Sequence, residues 1–274
     1  MNTISQDDDL VKMIKLLLKG KEAHPRYQKW FDDFMTLEQR HLKNFVPLLN
    51  EFTPLKDKLI FDFGCGTGGS SVALGLSAAK VIGVEPDQMN IDVAAARIKK
   101  HHLDDLIKVS YLADTSKLPF PSETFDICIC HSVLEYIPTD RHLYIREMWR
   151  ILKPNGILFI GGSSNGIYPI EMHTGKWFIN YIPSKTTSPR GISYWEIVNA
   201  IKPQKYVVLN QSLPRDGLTR YAQRLQDKEM SSLKKLQANI VVFFLRLIKA
   251  TLCPMLGVPI EAFLPWLDIG LKKS

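Results

Sequence analysis

Short apolar runs alternate with amphipathic stretches along the middle of the chain. Leu59–Phe63, Lys80–Val84, Ile107–Leu112, Phe125–Cys130 and Ile157–Ile160 have the length and apolar character of strands. The small-residue stretch after Gly69, Asp87–His102 and Thr139–Leu152 have helical spacing instead. Strands alternating with helices through short loops predict a mostly parallel sheet with right-handed crossovers. Pro154-Asn155-Gly156 reads as a turn before the fifth run. Upstream, residues 8–20 predict a helix with the stripe Leu10, Ile14, Leu17 and Leu18, capped by Asp7, Asp8 and Asp9 and stopped by Gly20. Residues 24–50 predict a longer helical segment carrying Tyr27, Trp30, Phe31, Phe34, Leu37, Leu42 and Phe45. These aromatics read as a helix face packed on the core.

Downstream the alternation breaks. Gly161–Pro189 is rich in glycine, serine and aromatics (Tyr168, Trp177, Phe178, Tyr181) and reads as an insertion or lid. Tyr194–Ile201 predicts a helix, Lys205–Leu209 a strand, and Asp216–Gln237 a charged helix. Asn239–Leu245 contains the apolar run IVVFFL. The remaining tail mixes large apolar residues with Arg246, Lys249, Glu261, Asp268 and three prolines. No eighteen residues of it are cleanly apolar, so a bilayer span is not expected. The expectation is that the tail packs on protein, its own or a second subunit's, with a membrane surface as the alternative cover.

Chemistry concentrates where the first run enters Gly64-Cys65-Gly66-Thr67-Gly68-Gly69. Glycines let the backbone take positive φ and approach a ligand, and the following helix offers free amide donors. The phosphate-loop pattern GxxxxGK[ST] is absent. The dinucleotide pattern is nearly present, with Glu85 about twenty residues on, where an acidic side chain reaches a ribose. Asp62, just before the first glycine, would repel a pyrophosphate and suits a cationic or hydroxylated ligand. Asp62, Glu85, Asp114 and His131 all fall at C-terminal strand edges, where such sheets bind ligands.

DFGCGTGG, VIGVEPDQM, YLADTSKLPFPSETFDICICHSVLEYI and ILKPNGILFI, in that order over Leu59–Gly162, resemble the class I S-adenosylmethionine-dependent methyltransferases. They are nearest the small-molecule branch that includes the ubiquinone-biosynthesis enzymes. The resemblance implies a Rossmann-like α/β fold with a mostly parallel seven-stranded sheet, Asn239–Leu245 as its final antiparallel strand, helices on both faces, an N-terminal helical cap and an additional C-terminal tail. It implies that S-adenosylmethionine is held by Asp62, Gly64, Cys65, Gly66, Gly68, Glu85, Pro86, Met89, Asp114, Thr115 and His131. Within that set Asp62 meets the amino-acid end, Glu85 the ribose, and Asp114 the adenine amino group. Pro86 and Met89 pack the adenine, and Thr115 adds a local contact. His131 is the candidate catalytic base, since an imidazole titrates near neutrality. The family's leucine-glutamate-histidine sequence reads Leu134-Glu135-Tyr136 here.

Composition narrows the setting. The chain has 274 residues, 45% hydrophobic and 23% charged, enough for a substantial core. The formal charge of +7 admits anionic partners or membranes, yet no lysine-arginine tract with interleaved aromatics marks a nucleic-acid stripe. Four cysteines without a CxxC pair argue against structural zinc or a disulfide scaffold, and no metal is expected. Cys128 and Cys130 suit small core positions. Aspartates near the start do not resemble a secretory signal, so a cytoplasmic enzyme is expected, with peripheral membrane placement and a homodimer both admitted. The expected division is a cap at 1–50, a cofactor-binding core at 51–212 with a lid at 161–189, and a C-terminal region at 213–274. The expected activity is methyl transfer to a small molecule, with glycan- or lipid-linked acceptors admitted. An NAD-dependent oxidoreductase and a non-catalytic nucleoside-binding scaffold are the alternatives.

Overall fold

The computed structural model describes residues 3–182, 189–226 and 232–274, without the side chains of residues 3–8, 224, 226 and 232–234. Seven strands hydrogen-bond in the order β3-β2-β1-β4-β5-β7-β6. They are β1 (Leu59–Phe63), β2 (Lys80–Glu85), β3 (Ile107–Tyr111), β4 (Phe125–His131), β5 (Leu152–Ser164), β6 (Tyr206–Val208) and β7 (Trp266–Lys273). Pairings β1/β2, β1/β4 and β2/β3 are parallel, while β7 runs antiparallel to β5 and β6. The mostly parallel sheet expected from the alternation, in the helix-flanked, Rossmann-like form that the resemblance implies, is therefore present. The chain divides into two compact units, Met1–Ile129 with Ile151–Lys153, and Cys130–Arg150 with Pro154–Ser274.

In the first unit, α1 (Thr3–Leu17), α2 (Tyr27–Met35) and α3 (Leu37–Phe52) precede β1. Helix α1 starts earlier than expected, so Asp7–Asp9 lie inside it. Leu10, Ile14 and Leu18 are buried with Val93, and Tyr27, Trp30, Phe31 and Phe34 pack against that cluster. The amphipathic stripe thus finds its partner on α5 (Gln88–Lys100), and these aromatics pack beside it. Helix α4 (Gly69–Leu76) is small-residued and buried over Gly69–Gly75. Helix α5 starts because the Asp87 side chain accepts hydrogen bonds from Met89 N and Asn90 N, and it ends on Arg97, Lys99 and Lys100.

The second unit contains α6 (Arg141–Ile151), α7 (Tyr194–Ile201), α8 (Gly217–Gln226) and α9 (Ser232–Leu256), with β5 and a long segment between α6 and α7. Ser193 caps α7 by accepting from Glu196 N. Three expectations are corrected here. Strand β5 runs on through Pro154–Gly156, with Asn155 at φ 62°, and through Gly161–Ser164, so neither a turn nor a lid begins there. Asn239–Leu245 lies inside α9 and is not a strand. The final antiparallel strand is β7, whose Leu267, Ile269 and Leu271 are fully buried at period two. Part of the expected lid, 183–188, and of the expected charged helix, 227–231, lies outside the described residues.

Candidate functional site

The first unit builds its site from the ends of β1 and β2. After Phe63 the chain turns through Gly64 (φ 70°), Gly66 (φ 51°) and Gly68 (φ 79°) into α4. Gly64 N and Cys65 N both donate to Val84 O, which ties the turn to β2. At Gly68 a Cβ would stand 2.9 Å from Ala94 Cβ and 3.0 Å from Ala94 Cα, so a side chain is excluded by close packing on α5. At Gly66 nothing lies within 4 Å of that position, leaving one side of the turn open.

Glu85 ends β2 beside this opening. Its Oε2 accepts from Gly66 N at 3.1 Å, and its Oε1 accepts from Asn90 Nδ2 at 3.1 Å. Each carboxylate oxygen keeps a further lone pair for a hydroxyl donor. Pro86 is exposed and Met89 half-buried just beyond it. Asp114 is exposed past the end of β3, and it accepts from Ser116 N and Ser116 Oγ. Those bonds to Ser116 lower its pKa. Thr115 is half-buried beside it.

Asp62 lies at the C-terminal end of β1, as expected. It is 1% exposed, and its Oδ2 accepts from both Ser70 Oγ (2.7 Å) and Ser71 Oγ (2.6 Å) at the start of α4. Burial pushes its pKa up to about 6; the serine bonds oppose this and the Glu85 charge adds to it. Its side chain is engaged with the serines rather than presented at the surface. Cys65 is buried, and burial raises its thiol pKa.

Sequence reasoning missed the support beneath the turn. Arg97, fully buried on α5, donates from Nε to Thr67 O (3.0 Å) and from Nη2 to Phe34 O (2.6 Å), and its Nη1 pairs with Glu38 of α3. His101 Nε2 lies 3.1 Å from Glu38 Oε1. Burial alone would raise the Glu38 pKa, but His101 and Arg97 outweigh it and hold it down at about 2. One guanidinium thereby connects the cap helices to the glycine turn. The signal in the sequence was an arginine standing among alanines on the apolar side of Asp87–His102.

The second unit carries His131 in a separate polar cluster. A Cβ at Gly162 would stand 2.7 Å from His131 Nε2, so only glycine lets the strand pass this imidazole. Gly162 N donates to Asp268 Oδ1 at 2.8 Å. Burial lowers the His131 pKa; Asp268 and Glu135 pull it up, and His173 pushes it further down. Glu135 is buried, its Oε2 accepts from Ser163 Oγ, and its Oε1 lies 2.7 Å from His173 Nε2. Burial disfavours the charged His173, yet Glu135 and Glu171 outweigh it and raise its pKa. The position after Glu135 is Tyr136, and the imidazole that reaches Glu135 comes from His173 in the segment read as a lid.

A glycine turn with an open face, a carboxylate on its amide and parallel strands ending around it define a nucleoside-binding α/β enzyme fold. Comparisons with known proteins carry this further. A family model described as a methyltransferase domain matches residues 61–160. The ubiquinone biosynthesis O-methyltransferase of Pelagibacter ubique (strain HTCC1062) is 26% identical over 217 residues, 77% of this chain and 84% of that protein. The protein of the same name from Coxiella burnetii (strain Dugway 5J108-111) is 30% identical over 165 residues, 58% of this chain and 68% of that one. A solved geranyl diphosphate methyltransferase in complex with S-adenosylmethionine superimposes with a TM-score of 0.51 at 19% identity, covering 93% of each chain, and so shares the fold. The chain belongs to the class I S-adenosylmethionine-dependent methyltransferases. It is an enzyme whose cofactor is S-adenosylmethionine and whose product from it is S-adenosylhomocysteine. The open Gly66 face beside Glu85 fits a ribose-bearing cofactor. The relatives named here lend no support to the oxidoreductase alternative.

Proposed function

We propose that this methyltransferase acts on a hydroxyl group of a small molecule. The observation that carries the reading is the Glu85 carboxylate on the open glycine turn, with the O-methyltransferase relatives supporting oxygen as the acceptor atom. Bound S-adenosylmethionine supplies an electrophilic methyl on a sulfonium that leaves as a neutral thioether. The protein's share is to bind, align and exclude water. Glu85 takes the ribose hydroxyls, Gly64, Cys65, Gly66 and Gly68 form the backbone cradle, and Pro86 and Met89 line the adenine. Asp114 and Thr115 receive the adenine's polar edge. Asp62 acts by holding Ser70 and Ser71, and with them the start of α4, rather than by touching the cofactor's ammonium. His131, whose pKa burial lowers, accepts the proton that the acceptor hydroxyl releases as its oxygen takes the methyl. His173, whose pKa Glu135 raises, positions that cluster.

A lipid-carried acceptor is the narrower version of this reading, supported by the exposed apolar helix of the second unit. Cytoplasmic placement agrees with it. The test is a screen of small phenols, hydroxylated quinones and lipid extracts with methyl-labelled S-adenosylmethionine. Label is expected in an ether that resists mild base. Label found only on amine nitrogen or on carbon would overturn the choice of oxygen.

A further inference from the structure

Helix α9 carries apolar residues on two sides, and among the described residues one side is buried and the other is exposed. Val242, Leu245 and Cys253 are buried, in a cluster with Leu218, Ile260 and Leu264. Leu236, Ile240, Phe243, Phe244 and Leu247 follow the spacing i, i+4, i+7, i+8, i+11, which places them on one stripe roughly opposite the buried one. All five are 45–57% exposed. Phenylalanine pairs left this open cost hydrophobic free energy unless something covers them. Among the described residues nothing does.

Charge selects the cover. From Ser232 to Leu256 the sequence has no aspartate or glutamate and four basic residues, Lys234, Lys235, Arg246 and Lys249. Lys249 is paired with Asp216, whereas Lys235 and Arg246 are exposed. A two-fold contact between copies would set this basic helix against its own image. An anionic lipid surface complements both the apolar stripe and the charge. The segment Lys235–Leu256 is long and apolar enough to cross a membrane by length and composition. Crossing would nevertheless strip Val242, Leu245 and Cys253 from their cluster, so the helix lies along the surface. We infer that α9 docks the protein on an anionic membrane interface through Leu236, Ile240, Phe243, Phe244 and Leu247, with Lys235 and Arg246 at the headgroups. This stands independently of the acceptor's identity.

Flotation of the full-length protein with phosphatidylcholine vesicles, and with vesicles containing about 30% phosphatidylglycerol, tests it. The wild type should float with the anionic vesicles, far less with the neutral ones, and release as salt is raised. A Phe243→Ser/Phe244→Ser/Leu247→Ser variant, with unchanged melting temperature and cofactor binding, should float at least tenfold less. Lys235→Glu/Arg246→Glu, which keeps the apolar stripe, should lose most of the preference for anionic lipid. Absence of flotation, equal flotation on neutral vesicles, or equal flotation of the triple-serine variant would overturn the inference. So would a concentration-dependent dimer that the same serines abolish in a protein that does not float.

Discussion

At the residue scale, Asp62 shows how position and role can separate. Its place at the β1 edge was legible from the sequence, because an aspartate closing an apolar run and followed by glycines stands out. What it does was not, because the two serines that occupy its Oδ2 look like ordinary helix residues until α4 folds back on β1. Burial has a measurable consequence. A carboxyl whose folded pKa is near 6 instead of 3.8 keeps its proton in the folded state while the unfolded chain releases it. Stability associated with Asp62 is therefore present below about pH 4 and lost as pH rises through 6, by roughly 3 kcal/mol over that window at 1.36 kcal/mol per unit. Melting temperatures of the wild type and Asp62→Asn, followed from pH 4 to pH 7, check this. The difference between them should shift in favour of the variant as pH rises; a constant difference would show that Asp62 is ionised throughout.

At the scale of elements, the glycine turn contains two glycines with different reasons for being glycine. Gly68 packs its α-carbon against Ala94 and sits at φ 79°, so Gly68→Ala combines backbone strain with a clash against α5 and should cost about 2–4 kcal/mol. Gly66 faces open space, so Gly66→Ala should cost only about 1 kcal/mol of stability from its φ of 51° while obstructing the cofactor face. Thermal melts paired with cofactor titrations separate them: the first variant loses stability, the second affinity. Equal stability losses would mean that the open face is filled in solution. The same scale explains where sequence reading failed. The strands of the first unit were legible since each is an apolar run between turn residues. Asn239–Leu245 misled because β-branched and aromatic residues favour strands locally, while the deciding burial of Val242, Leu245 and Cys253 at helical spacing comes from tertiary packing. The true last strand hid in a proline-broken tail, although Leu267, Ile269 and Leu271 alternate as a half-buried strand should.

For the whole molecule, fold and cofactor follow from few features, and the acceptor from fewer. The β1–turn–α4–β2 order is readable as a nucleoside site in the sequence itself, since strand, glycines, helix and carboxylate stand close together along the chain. Arg97 and Glu38, which brace that site, are 59 residues apart, and only the fold makes them a pair. His173 reaches Glu135 from a segment whose glycines and aromatics gave no hint of it. Such long-range partners carry no local pattern for a sequence to display. Binding of S-adenosylmethionine through Glu85 is the point on which the rest depends. Isothermal titration of the full chain with S-adenosylmethionine, beside Glu85→Ala of matched melting temperature, measures it directly. Loss of a charge-assisted hydrogen bond of roughly 1.5–3 kcal/mol should weaken binding about ten- to a hundredfold. Unchanged affinity in the variant would place the ribose elsewhere, and a wild type that binds NAD but neither S-adenosylmethionine nor S-adenosylhomocysteine would contradict the assignment outright.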